Sequence, residues 1–367
     1  MTGTKGRLTF LLPNMRGGGA ERVALRLIED FLAQGHPVDL LLMAAEGELM
    51  PLVPAAVRVV DFRAPRIRNV FAPLVRYLRR ERPEGMQVSM WPLTVVGVLA
   101  HRAARSTARL VLSEHITLSR QYGHFGSARR RLLRESIRRA YPRADARIAV
   151  SAQAADDLAA VSGIARDSIT VVYNPVDRPA GARAIDPAAD AAWRNSPARI
   201  ITAGSLKEQK NHALLLDAFA RLRRARPARL IILGEGELRP ALERQVAALG
   251  TADDVLMPGF VVDPWPWYAG AQLFALSSDY EGYPLVLLEA MRSGLTIVST
   301  DCESGPREIL DGGRYGRLVP CRDPGALAAA MAAALDVPGD PALMRQRAEE
   351  LSGQDTSDRY LQLMTRG

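Results

Sequence analysis

Short apolar runs alternate along the chain with longer stretches whose apolar positions recur every three or four residues. The short runs predict strands buried on both faces, and the longer stretches predict helices lying against them. In the first half the runs fall at residues 7–12, 38–43, 57–60, 87–90, 109–113, 146–151 and 169–173. Helical stretches separate most of them, so these strands are expected to lie parallel in a sheet covered on both sides. A stretch rich in Pro, Ala and Gly then continues to Pro197 without a clear period, which marks a domain boundary. The alternation restarts with strands predicted at 199–203, 229–233, 255–257 and 295–300, and a last helix is predicted over 341–364. The expected class is α/β, with one parallel-sheet domain in residues 1–178 and a second in 179–345.

One segment breaks the pattern. Residues 278–291 read Ser-Asp-Tyr-Glu-Gly-Tyr-Pro-Leu-Val-Leu-Leu-Glu-Ala-Met. Pro284 stands where a first helical position would be, and the predicted helix after it is apolar nearly all round, as a core helix is. Glu289 is the charge in that helix, and an ionised carboxylate in apolar surroundings needs a partner. Glu281 precedes it in the loop facing the helix start. Between the two lie the unpaired N–H groups of Leu285 and Val286 at the positive end of the helix dipole, a setting that suits a phosphate. Two carboxylates flanking an anion site would read a sugar nucleotide. The same residues would also serve in a core helix whose Glu289 pairs with an arginine.

The Glu281-x7-Glu289 spacing within this string, followed by Gly294, resembles the signature of the retaining glycosyltransferases of family 4. That resemblance implies the GT-B fold, with two Rossmann-like domains facing across a cleft and a C-terminal helix, residues 346–367, crossing back to the first. It further implies that Glu281 holds the donor-sugar hydroxyls and Glu289 the ribose, with Gly282, Tyr283, Pro284, Leu285 and Val286 around the diphosphate. Gly17, Gly18 and Gly19, followed by Ala-Glu-Arg-Val, resemble the family's first loop near the donor diphosphate or the acceptor. His115, directly after the strand predicted at 109–113, matches the histidine that contacts the transferred sugar. Lys210, just before the expected helix cap Asn211, matches the base that neutralises the diphosphate. Gly204 and Ser205 open the same loop, and Ser205 departs from a common pattern that has arginine there. Gly234-Glu235-Gly236 resembles the second Gly-rich turn, Gly259 and Phe260 the edge of the base pocket, and Asn174-Pro175-Val176-Asp177 the interdomain corner. Glu281, His115 and Lys210 are the catalytic candidates.

Composition narrows the picture further. The 367 residues carry a net charge of +8, with 27 Lys/Arg against 16 Asp/Glu up to Arg178 and 21 against 24 beyond it. A +11 half joined to a −3 half suggests that one domain faces an anionic partner. In residues 127–142, Leu132, Leu133, Ile137 and Tyr141 share a predicted helical face, with Arg129, Arg130, Arg134 and Arg138 around them. The apolar side would pack on the sheet, and the arginines could meet anionic lipid headgroups. No aromatic stacking platform is evident beside them, so nucleic acid is not an expected partner. No run approaches the ~20 apolar residues that span a bilayer, and no signal-peptide core follows residue 6. Cys302 and Cys321 lack metal-ligand spacing, so the expectation is a cytoplasmic chain with reduced thiols, peripheral on the inner face of the plasma membrane. No cofactor or metal is expected, because cationic side chains can take the metal's place beside a diphosphate. The expected partners are a nucleotide-sugar donor, UDP-linked by resemblance, and a glycan or polyprenyl-diphosphate-linked acceptor in bacterial cell-surface polysaccharide assembly. The alternatives are a GT-B nucleotide-sugar epimerase or phosphorylase, and a non-enzymatic basic protein that grips a membrane or nucleic acid.

Overall fold

The first apolar run forms the strand around which the first sheet is ordered. In the computed structural model, which describes residues 5–176, 187–193, 196–352 and 355–365, this strand is β1 (Leu8–Leu12), buried along its whole length. The sheet continues with β2 (Val38–Leu42), β3 (Arg58–Asp61), β4 (Gly85–Ser89), β5 (Arg109–Glu114), β6 (Ala146–Ala149) and β7 (Thr170–Val171), all parallel, in the order 3-2-1-4-5-6-7. Central strands are covered on both faces, so they read as continuous apolar runs. Asp39 in β2 departs from this pattern, fully buried and met by Arg7 at 2.5 Å, by Arg58 and by the Tyr77 hydroxyl at 2.6 Å.

The second sheet repeats the plan with β8 (Arg199–Ala203), β9 (Arg229–Leu233), β10 (Val255–Gly259), β11 (Leu273–Leu276), β12 (Thr296–Thr300) and β13 (Arg317–Val319), in the order 10-9-8-11-12-13. Strand order reverses between β1 and β4 in one sheet and between β8 and β11 in the other. Such reversals are where open parallel sheets bind ligands, beyond the carboxyl ends of the strands.

Several expectations are corrected. β11 and β13 were not foreseen, being runs of four and three residues. The strand expected at 169–173 is only Thr170–Val171. The last helix is two helices. Pro341–Leu351 belongs to the second unit, where Arg292 bonds Glu349 at 2.7 Å and Ser352 at 2.6 Å. Thr356–Met364 packs on the first unit, with Thr356 donating to the Tyr173 carbonyl at 3.0 Å and Arg109 to that of Leu363 at 2.9 Å. The chain accordingly divides into Met1–Pro175 with Gly353–Gly367, and Val176–Ser352. The return to the first unit therefore begins after Ser352 and not at 346. The boundary expected at 178 and its neighbour Asp177 lie outside the described residues.

The arginine-rich helix runs Ser127–Ala140. Leu133, Ile137 and Tyr141 are buried, whereas Leu132 is 64% exposed and does not share their face. Three aromatic rings pack against one another beside this helix. The rings of Trp91 and Tyr122 are 4.8 Å apart, those of Tyr122 and Phe125 5.1 Å, and the Arg129 guanidinium lies 5.7 Å from the Phe125 ring.

Candidate functional site

At the switch point of the second sheet two segments are stitched together. The turn after β8 reaches Glu208–Lys210, and the segment after β11 runs from Ser277 to Glu281. Ser277 Oγ donates to the Lys210 carbonyl at 2.9 Å, the Asp279 amide to the Gln209 carbonyl at 2.9 Å, and Gln209 Nε2 to the Tyr280 carbonyl at 3.0 Å. Asn211 donates to Asp279 at 3.0 Å and caps the next helix by accepting from the Leu214 amide at 3.2 Å. The expected cap is therefore present, with the helix beginning at His212.

This stitching brings Lys210 Nζ to 2.6 Å from Glu281 Oε1. Ser278 Oγ donates to the same oxygen at 2.6 Å, and Gln209 Nε2 lies 3.4 Å from Oε2. The side chains of Lys210 and Glu281 are only 16% and 6% exposed. Two residues assigned separate tasks by resemblance are thus one ion pair. The lysine's charge is shared with a carboxylate. An ammonium has three donors, and Glu281 takes one of them. Removing one partner of so buried a pair typically costs about 3–5 kcal/mol.

Glu281 is also held through its backbone. Its amide donates to the Glu303 carbonyl at 2.6 Å, and Ser304 Oγ donates to the Gly282 carbonyl at 2.7 Å. Gly305, at φ +98°, packs against this strip; a Cβ there would lie 2.5 Å from Pro284 Cδ and 3.1 Å from Tyr283 Cα. Gly305 is therefore spent on packing against the motif, and only glycine fits there. The helix after the motif runs Leu285–Arg292, one residue later than expected, so that Pro284 precedes it. No side chain caps it, leaving the Leu285 and Val286 amides at its positive end. Leu285, Leu287 and Leu288 are buried, while Val286 and Glu289 keep partial exposure. Glu289 accepts from the Tyr268 hydroxyl at 3.0 Å.

Gly204 lies beneath the Lys210 stem, where a Cβ would be 3.4 Å from Lys210 Cδ and Cε. Ser205 follows, partly exposed, and Lys207 is exposed. Gly204, Gly234 and Gly259 step across the ends of β8, β9 and β10, joined by Gly204 N–H to the Leu233 carbonyl at 2.9 Å and Gly234 N–H to the Gly259 carbonyl at 2.8 Å. Phe260 follows at the edge. Sequence reasoning passed over His212, which is 3% exposed beside this turn, with no completed hydrogen bond at either ring nitrogen. Burial first, and then the nearby Lys210 charge, push its pKa down to about 4, against a smaller opposing pull from the Gly204 and Ser205 backbone.

The remaining candidates lie in the first unit, at the ends of its strands. Gly17 (φ +75°) and Gly18 follow β1, and the next helix begins at Gly19. Gly18 is pressed by Glu21; a Cβ would lie 2.3 Å from its Oε2. His115 follows β5, with Nε2 2.7 Å from Ser113 Oγ and Nδ1 shut from water without a partner, although the residue as a whole keeps some exposure. Burial pushes its pKa down to about 4. Glu114, 2% exposed, is the last residue of β5. It accepts from the Tyr141 hydroxyl, from Thr94 Oγ1 at 3.5 Å and from the Trp91 amide at 3.3 Å. All are neutral donors, and burial pushes its pKa up to about 7. Among the described residues no cluster of three or more His, Cys, Asp or Glu is placed to hold a metal ion.

Two family models divide this architecture between them. Residues 17–178 match the model described as Glycosyltransferase Family 4, and residues 197–336 that described as Glycosyl transferases group 1. The chain belongs to the family 4 glycosyltransferases. The transferase is 29% identical over 326 residues to N-acetylgalactosamine-N,N'-diacetylbacillosaminyl-diphospho-undecaprenol 4-alpha-N-acetylgalactosaminyltransferase of Campylobacter jejuni, covering 85% of this chain and 86% of the relative. It is 27% identical over 308 residues to the amylovoran biosynthesis glycosyltransferase AmsD of Erwinia amylovora, covering 81% of each. Among solved structures, Anabaena HepE in complex with UDP and glucose matches with a TM-score of 0.77 at 20% identity, over 97% of this chain and 98% of HepE. The fold of the transferase is GT-B, two Rossmann-like parallel-sheet domains.

Proposed function

We propose that the enzyme moves a sugar from a nucleoside-diphosphate donor, UDP-linked, to a glycan or polyprenyl-diphosphate-linked saccharide in bacterial cell-surface polysaccharide assembly, with retention of anomeric configuration. The observation that carries this reading is Lys210 bound to Glu281 beside the uncapped start of Leu285–Arg292. Glu281 orients the donor-sugar hydroxyls while the spare Lys210 protons and the first-turn amides stabilise the leaving diphosphate, where negative charge develops. Glu289, partly exposed, takes the ribose hydroxyls. His115 meets the transferred sugar near its reactive carbon, and the acceptor attacks from the face the diphosphate leaves, with a departing phosphate oxygen as base. The Campylobacter and Erwinia relatives support the acceptor class by their own activities.

A thermal-shift panel of uridine, guanosine and adenosine diphosphates, followed by hydrolysis of the matching sugar donors, tests the donor. Stabilisation is expected with UDP first, and no response to any nucleoside diphosphate would refute the reading. With Lys210 and a helix start at the diphosphate, turnover is expected to survive a chelator; its abolition by one would overturn metal independence. No described helix is long and apolar enough to cross a membrane. The arginines of Ser127–Ala140, with exposed Leu132 and the Trp91–Tyr122–Phe125 cluster beside them, support contact with an anionic membrane at its cytoplasmic face. Flotation with anionic liposomes should show salt-sensitive binding, and its absence would remove that part.

A further inference from the structure

β5 ends in polar groups on both faces, and the two faces are partnered differently. Glu114 turns toward Thr94 and Tyr141, whereas Ser113 and His115, one in the strand and one just past its end, meet each other on the other side. Beneath His115 lie Gln87, Ser89 and Ser113, each at most 2% exposed. Gln87 Nε2 donates to Ser113 Oγ at 2.9 Å and lies 3.4 Å from Ser89 Oγ. The Ser89 and Ser113 hydroxyls are 3.2 Å apart, and Ser113 Oγ is 2.7 Å from His115 Nε2. The Tyr360 hydroxyl, from the C-terminal helix, comes near Ser113 without completing a hydrogen bond.

Counting protons decides what this cluster does. An amide nitrogen only donates, so Ser113 accepts from Gln87 and has a single O–H to give. Its shortest remaining contact is the imidazole. If Ser113 accepts a second bond from Ser89, every site on its oxygen is used, and Nε2 of His115 must be an acceptor. Burial keeps the ring neutral near pH 7, so its one proton then sits on Nδ1, which has no partner. A buried donor without an acceptor is costly, and a substrate oxygen would supply what is missing.

We propose that Ser113, held by Gln87, is a positioning residue that fixes His115 with its proton on Nδ1 and so presents that N–H to an oxygen of the donor sugar. This rests on the reading of His115 given above, but its first test does not. The ring nitrogens of the ¹⁵N-histidine-labelled protein can be read by NMR without substrate, with His115 assigned by the signal lost in His115→Gln. The expected signature is the Nδ1–H tautomer in the wild type, with a shift toward a mixture in Ser113→Ala and in Gln87→Met. A wild-type proton on Nε2 would overturn the proposal, because Ser113 would then accept from the imidazole and give its own proton to Ser89, or to Gln87 turned to present its oxygen. Unchanged nitrogen shifts in both variants would overturn it too. Should Ser113→Ala not fold, the wild-type spectrum and Gln87→Met decide. In turnover, Ser113→Ala is expected to lower kcat at least about tenfold with little change in donor KM, and Ser113→Thr to restore it. A Ser113→Thr variant that keeps the tautomer yet is as slow as Ser113→Ala would refute the positioning role. An Nδ1–H ring in a protein indifferent to His115→Gln would support the tautomer and sink the reading of His115 instead.

Discussion

The two strand-end sites of this transferase differ in charge, one holding neutral groups and the other a buried ion pair, and not in the way the composition suggests. The first half of the chain carries the +11 excess, yet its buried groups at the end of β5 are a neutral imidazole and a carboxyl that burial tends to keep protonated. The second half is net negative, yet it places a nearly buried ammonium at the centre of its site. Net charge reports what the surface meets, and arginines such as Arg129, Arg130 and Arg134 lie exposed on Ser127–Ala140. A binding site depends instead on a few desolvated groups, whose interactions are strong because water is excluded. On the proposed function, one site is suited to a diphosphate and the other to uncharged sugar oxygens.

The largest expected effect that could break this contrast comes from Glu281→Ala. It should lower kcat by about 10³-fold and lower the melting temperature as well, since Lys210 is left buried without its partner. Undiminished turnover would remove the central assignment. Lys210→Ala should cost about 10²-fold in kcat. In a thermal cycle, the Lys210→Met/Glu281→Leu double variant should be more stable than either single, because neither charge is then stranded. Additive losses would show that the pair contributes nothing as a pair.

Smaller effects sharpen the other half of the comparison through pH. The folded-state pKa of Glu114 is raised, so the fold favours the protonated carboxyl. Stability from this group is complete below the unfolded value near 4.5 and is lost as pH rises through about 7. Glu114→Gln should therefore flatten the stability curve over that window, by roughly 3 kcal/mol at most. Urea denaturation at pH 5 and pH 8 measures it, and an identical pH slope in the variant would show Glu114 ionised at no cost. His212 has the opposite sign. Its depressed folded pKa contributes stability above about 6.5, lost as pH falls toward about 4. His212→Gln should lessen acid destabilisation in that range by up to about 3 kcal/mol, read by the same denaturation at pH 7 and pH 4.5.

How much of this was legible depends on distance along the chain. The uncapped helix start at Leu285 follows from local sequence, since Pro284 limits what precedes it and apolar residues demand burial after it. Asn211 was legible as a cap for the same reason. The Lys210–Glu281 pair was not, because its partners are 71 residues apart and meet only when β8 and β11 become neighbours. β11 escaped notice because a four-residue apolar run just before the motif has no period of its own. Leu132 looked like core because it neighbours Leu133 in a helix too rich in arginine to show which side is packed. The aromatic cluster joins Trp91, after β4, to Tyr122 and Phe125, after β5, and sequence separation hid it.

The sequence by itself determined that two rounds of strand and helix would form parallel sheets, because buried strands and amphipathic helices impose periods that can be read locally. It also determined that Glu281 and Glu289 would flank a helix start. Only the tertiary structure decided which groups neutralise them and which stay unmatched. Those choices depend on strand order, and strand order brings together side chains that no local pattern relates.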